Sequence, residues 1–130
     1  MLFRSPDKLL LVDLAGTEAI SQLFQFNLSL LADNATKVEF DKLMGGKISV
    51  ELDLPDKKKR FFGGICSRLA EGRRDTQFTH YTMEIVPQFW LLTRRVQSRI
   101  FQQITVPDIL KEVLKGLEVK WDIQIGRAHV

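Results

Sequence analysis

YTMEIVPQFWLLTRRVQSRIFQQITV, residues 81–106, is the stretch whose reading decides the fold. It opens as a strand with Tyr81, Met83 and Ile85 on one face, because successive side chains of a strand point to opposite sides. Pro87 ends that strand, since proline brings no N–H to a central ladder. Phe89, Trp90, Leu91 and Leu92 then give residues 88–95 a short helical character, and Arg94 and Arg95 suit the negative end of a helix dipole. Arg99, Ile100, Phe101 and Gln102 lead on to a second helix. Thr105 is a good N-cap for it, Pro107 fits its first turn, and Asp108 stands at capping-box-like spacing. Ile109, Leu110, Val113, Leu114 and Leu117 fall on one face of this helix, and Gly116 offers the stop.

Working upstream, the strand of residues 77–86 carries Thr79 on the same face as Tyr81, and the polar run EGRRDT at 71–76 reads as the loop before it. Gly63 and Gly64 sit inside a strand pattern, where paired glycines mark a bend, a bulge or the close approach of another backbone, and in a small barrel they would be a corner. Pro55 and Asp56 signal a turn, and the basic run 57–60 carries the chain round it, so 48–65 reads as a hairpin. In its first strand Ile48, Val50, Leu52 and Leu54 alternate with Ser49, Glu51 and Asp53, which places the carboxylates in solvent. Gly45 and Gly46 supply a sharp turn or bulge just before. Phe24, Phe26, Leu28 and Leu30 alternate with Gln25, Asn27 and Ser29 in another half-buried strand. KLLLVDL at 8–14 is a short apolar run that suits a mostly buried strand.

Downstream, Val119, Trp121, Ile123 and Ile125 alternate with polar residues and announce a strand that needs a sheet partner. The sequence ends in GRAHV, 126–130, without supplying one, so the chain reads as a fragment of something longer or as one whose last residues are foreign to the fold. The expected fold is mainly β with two short helices, an α+β arrangement. A small antiparallel β-barrel occupies 1–105, and residues 106–130 begin a second segment with a helix and a strand.

The chain has 130 residues, 45% of them hydrophobic and 27% charged, values of an ordinary globular domain able to build a core. The formal net charge is +3. Basic residues gather at 57–60, at Arg73 and Arg74, and at Arg94, Arg95 and Arg99; the first two groups read as solvated turn tips. Cys66 stands alone, which excludes an intramolecular disulfide framework and a multi-cysteine zinc site. His80 and His129 belong to no ligand motif, and a thiol–imidazole pair of Cys66 with His80 lacks any nucleophile signature around it. No catalytic, cofactor or metal residue is assigned, and the expectation is a protein that is not an enzyme. No apolar run reaches the length of a spanning helix, and no leader pattern follows Met1, so synthesis in the cytoplasm is expected.

Residues 99–102 admit two readings. In one they are a strand that buries Ile100; in the other Arg99 is a guanidinium fork on a carboxylate or carbonyl at a subunit boundary. Phe89, Phe101 and Gln102 join Arg99 as candidate interface residues; Phe101 fits core or interface equally, while Trp90 is read as core. Gly45, Gly46, Gly63, Gly64 and Pro87 are the candidate structural turns.

Five features in order carry a family resemblance: GTEAIS at 16–21 with Leu23 and Phe24, Gly45-Gly46 before an alternating strand, RFFGGI at 60–65, YTMEIVPQFW at 81–90, and RIFQQITVPDI at 99–109. Together they resemble the amino-terminal region of the VgrG family, the type VI secretion spike proteins related to late control protein D of phages. The resemblance implies a hub like those of contractile phage tails, in which small β-barrels of three subunits form a ring joining tube to spike. It further implies a homotrimer in the full-length protein, contacts with inner-tube and baseplate proteins, and secretion of the assembled spike into target cells. A tail hub of a contractile phage or pyocin is the alternative within this class. From another class, a basic barrel could bind single-stranded nucleic acid through residues 57–60, Arg73 and Arg74, with Phe61, Phe62 and Phe78 as stacking platforms. An enzyme using Cys66 stands last.

Overall fold

The computed structural model describes residues 2–4 and 9–122. Six strands, β1 (Leu2–Arg4), β2 (Leu10–Thr17), β3 (Gln25–Asp33), β4 (Lys47–Asp53), β5 (Lys59–Arg74) and β6 (Phe78–Val86), make one antiparallel sheet in the order β1-β4-β5-β6-β3-β2. The outermost strands β1 and β2 approach each other without pairing, and the sheet curls into a half-barrel. A short helix, α1 (Phe40–Leu43), precedes β4, and a second, α2 (Val106–Val113), lies downstream. The fold is mainly β, as expected. The chain divides into two compact units, Met1–Trp90 and Leu91–Val130.

Alternation explains the core of the first unit. Phe26, Leu28, Leu30 and Ala32 of β3 are buried, and Ile85, Met83, Tyr81 and Thr79 of β6 are buried directly opposite them. Ile48 and Val50 of β4 and Leu43 of α1 complete the cluster with Leu9 and Cys66. Burial of a leucine or isoleucine side chain contributes about 1.5–3 kcal/mol, so this two-strand stack dominates the stability of the sheet. Phe26 also meets Phe62 edge-on, with ring centroids 5.0 Å apart.

The strand read as mostly buried at 8–14 is instead an exposed edge. Leu9 is buried, yet Leu10 and Val12 are 58% and 56% exposed, because β2 pairs only with β3 and a bulge between Leu11 and Asp13 breaks its alternation. The polar run 71–76 is mostly not a loop: β5 continues to Arg74, paired with Thr79, and only three residues separate it from β6. Backbone hydrogen bonding to β6 outweighs the polarity of the side chains, which face solvent. Glu51 is buried rather than solvated, since β1 and β5 flank it on both sides and Lys59 pairs with its carboxylate. Gly63 and Gly64 lie within β5, not at a turn.

At 88–95 the expected helical turn is a 3-10 helix, Gln88–Arg94, which begins directly after β6 ends at Val86 and Pro87 intervenes. Helix α2 starts where the capping residues predicted it: Thr105 Oγ1 accepts from Asp108 N at 3.4 Å and donates to Asp108 Oδ2 at 2.8 Å. Its apolar stripe is only partly covered, with Leu110 and Val113 exposed. Residues 119–122 form no strand, and the rest of that predicted strand lies outside the described residues.

Candidate assembly surface

The four candidate interface residues divide between the two units. Phe89 belongs to the first and is exposed within the 3-10 helix. Arg99, Phe101 and Gln102 belong to the second, in the segment without regular secondary structure between that helix and α2. This segment is not a strand, and Ile100 is 87% exposed rather than buried. It pairs with no strand among the described residues, so its alternation fills no sheet face.

Among the described residues the Arg99 fork meets neither a carboxylate nor a backbone carbonyl but the side-chain amide oxygen of Gln97. Its Nε donates to Gln97 Oε1 at 3.0 Å and its Nη2 to the same atom at 2.5 Å. Arg99 and Phe101 line one open cavity of about 260 Å³ with Leu92, Arg95, Gln97 and Val113. The structure thus brings two of the predicted residues together, adds four not predicted, and leaves Gln102 exposed. Gln97 carried one signal in the sequence: it stands two residues from Arg99, within reach of a guanidinium that seeks an acceptor.

Gly63, Gly64 and Pro87 line a second cavity, in the first unit, of about 420 Å³. Phe24, Ile48, Ile65 and Pro87 give it apolar walls, and Gly63 and Gly64 line it too. Gly45, at φ +72°, sits in the left-handed region between α1 and β4, a conformation a side chain would strain. Its N–H donates to Cys66 O at 2.8 Å, and Cys66 N donates back to Gly46 O at 3.1 Å, so the glycine pair extends the β4–β5 ladder by one rung.

The basic clusters are poorly placed for one nucleic-acid strand. Lys59 and Arg74 are the two ends of the 16-residue strand β5, a separation of up to about 50 Å along an extended chain. Lys59 is paired with Glu51, with Asp53 4.0 Å away, while Arg60 reaches Glu18 at 3.1 Å and covers the Phe62 ring at 4.7 Å. Phe62 is engaged with Phe26, which removes one stacking platform. Cys66 is buried, and burial pushes its thiol above the ordinary cysteine range. It pairs across the ladder with Ile85, five positions along β6 from His80, about 17 Å away. The two cannot act as a nucleophile and base. Among the described residues no cluster of three or more histidine, cysteine or acidic side chains could hold a metal ion, and no helix is long and apolar enough to cross a membrane.

The family model described as the phage tail baseplate hub (GPD) matches residues 17–128. The chain belongs to the phage tail baseplate hub family. Two relatives of this hub chain are type VI secretion system spike proteins of Pseudomonas aeruginosa strain PAO1. VgrG1c is 39% identical and VgrG1a 38% identical, each over 112 residues and 86% of this chain. The match takes in 15% and 17% of those relatives, so the hub chain spans about a sixth of their length. Its fold is also that of a solved chain, the E. coli c3393 protein, described as a type VI secretion component with structural similarity to the T4 bacteriophage tail proteins gp27 and gp5. The TM-score is 0.70 at 18% identity, over 88% of this chain and 31% of that one.

Proposed function

We propose that this chain is a hub module of a type VI secretion spike, a structural part that joins copies of itself and the inner tube rather than an enzyme. The observation that carries the reading is the hub-family match over residues 17–128, supported by identity near 39% to spike proteins. In this reading residues 106–130 open a second hub segment, and the longer protein forms a homotrimer that contacts inner-tube and baseplate proteins. It is assembled in the producing cell and secreted with the tube. Phe89, Arg99, Phe101 and Gln102 are the residues assigned to subunit contact. They are solvent-accessible in the single chain, as a contact surface must be before assembly.

The test uses a full-length protein bearing this sequence. Light scattering at high concentration is expected to give the mass of a trimer, and Phe101→Ala with Arg99→Ala to shift it toward monomer while the circular dichroism spectrum stays unchanged. A full-length protein that remains monomeric at every concentration would sink the reading. A tail hub of a contractile phage is the second reading, favoured by the description of the family model itself. Release of the protein into the medium by an intact secretion apparatus, or its presence only in phage particles, separates the two.

A further inference from the structure

The cavity of the second unit carries a chemistry that the hub match does not specify. Arg95 and Arg99 stand on its rim, and neither has an acidic partner within ion-pair distance among the described residues. Arg99 directs two of its five N–H donors, on Nε and Nη2, at a single neutral amide oxygen, that of Gln97. A guanidinium bond to a neutral amide oxygen is already charge-assisted, but a carboxylate adds a full opposite charge and two oxygens that match the fork. An incoming carboxylate would therefore displace Gln97 Oε1 at a net gain. Leu92, Phe101 and Val113 form the remaining wall, which suits an aliphatic or aromatic neighbour of that carboxylate.

We infer that this cavity docks an acidic peptide segment of another protein, with an Asp or Glu on the Arg95–Arg99 pair and an apolar residue beside it against Phe101. Gln97, released from Arg99, has its amide free to pair with the backbone of that segment, as a peptide requires and a phosphate chain does not. Phe101 is the single aromatic of the wall, too little for a run of stacked bases. The inference rests on reading residues 99–102 as a contact surface, and it names the chemistry of what they contact.

The experiment probes the whole 130-residue chain with an immobilised positional-scanning library of terminally blocked hexapeptides. Selection of Asp or Glu at one position, next to an aliphatic or aromatic residue, is the expected result. The best acidic peptide should bind about tenfold more tightly than its Gln or Asn twin, and more weakly as salt rises. Arg99→Glu and Arg95→Glu should each abolish the preference, Arg99→Lys should weaken it because charge stays while the fork is lost, and Lys58→Glu or Arg73→Glu should leave it unchanged. Amide spectra of each variant identify one that has failed to fold, in which case the lysine variant decides. No acidic preference, or one lost equally in the Lys58 and Arg73 variants, overturns the proposal, as does Arg99-dependent binding of hexathymidylate in place of peptide. Acidic selection by a protein that never trimerises would keep this inference and discard the trimer; a trimer without acidic selection would do the reverse.

Discussion

A Cβ placed on Gly64 would fall 2.4 Å from the carbonyl oxygen of Val86 and 2.6 Å from Ile85 Cγ2. Such distances require backbone to move, because the nearer atom belongs to the end of β6. On Gly63 the nearest atom, Ile48 O, is 3.7 Å away, an ordinary contact. Gly64→Ala is therefore expected to lower the unfolding free energy by about 1–3 kcal/mol, as overpacking does. Gly63→Ala should leave it unchanged or raise it by about 0.5 kcal/mol through the stiffer unfolded chain. Urea denaturation of the two variants side by side checks this, and equal losses would refute it. The sequence could say that one of the paired glycines admits a close neighbour; it could not say which, because that depends on where β6 stops. Arg99 was legible in the same partial way. The expected acceptor is a carboxylate or backbone carbonyl at a subunit boundary, whereas the acceptor within the chain is Gln97 Oε1, reached in a segment without regular structure that one reading takes as a strand.

Among elements, the hairpin of β5 and β6 turns on Asp75. Its Oδ1 accepts the backbone N–H of Phe78 at 2.7 Å and of Gln77 at 2.9 Å, and these bonds, the Phe78 one foremost, hold its carboxyl below the ordinary aspartate range. Asn34 Nδ2 donates to Asp75 O at 2.9 Å, which ties the end of β3 to the same turn. A carboxylate whose folded value is depressed stabilises the fold above its unfolded value and loses that contribution as pH falls through the folded one. The difference in stability between the natural chain and Asp75→Asn should therefore shrink from neutral toward strongly acidic pH, as read by thermal unfolding at several pH values. A difference that is flat with pH would show that the charge is immaterial. Elements with two-sided packing were the legible ones: β3 and β6 alternate because each has a core face, and α2 announces itself through Thr105 and Asp108. Strand β2 misled because an edge can expose leucines, and β1 went unseen because three residues carry no period. The end of β5 misled because Arg73 and Arg74 look like a loop while the strand runs on through a bulge to Arg74, which still pairs with Thr79.

For the whole molecule, β5 serves two partners in series. Its residues 59–65 pair with β4 and its residues 65–74 with β6, so the strands on either side of it meet only around Ile65. Both of its extra residues, between Cys66 and Arg68 and between Glu71 and Arg74, fall in the part that faces β6. The half facing β4 keeps strict register from Lys47 to Asp53. That the chain makes a curled antiparallel sheet was readable from alternation and turn residues. That one long strand carries it was not, because a strand of 16 residues exceeds the usual length and its polar end hid its extent.

Length can therefore be added to this domain at some places and not at others. A residue inserted in the tips at 55–57 or 75–77 lengthens a connection and leaves every pairing as it was. One inserted between Gly64 and Ile65 turns every later side chain of β5 to the opposite face relative to β4, placing the new serine where Ile65 now packs and moving Cys66 out of its buried site to the place of Ser67. Insertions of a single serine at these three places should give two soluble chains with the native amide spectrum and one that fails to fold. Natural length variation in hub domains of this shape is expected to collect at the same two tips.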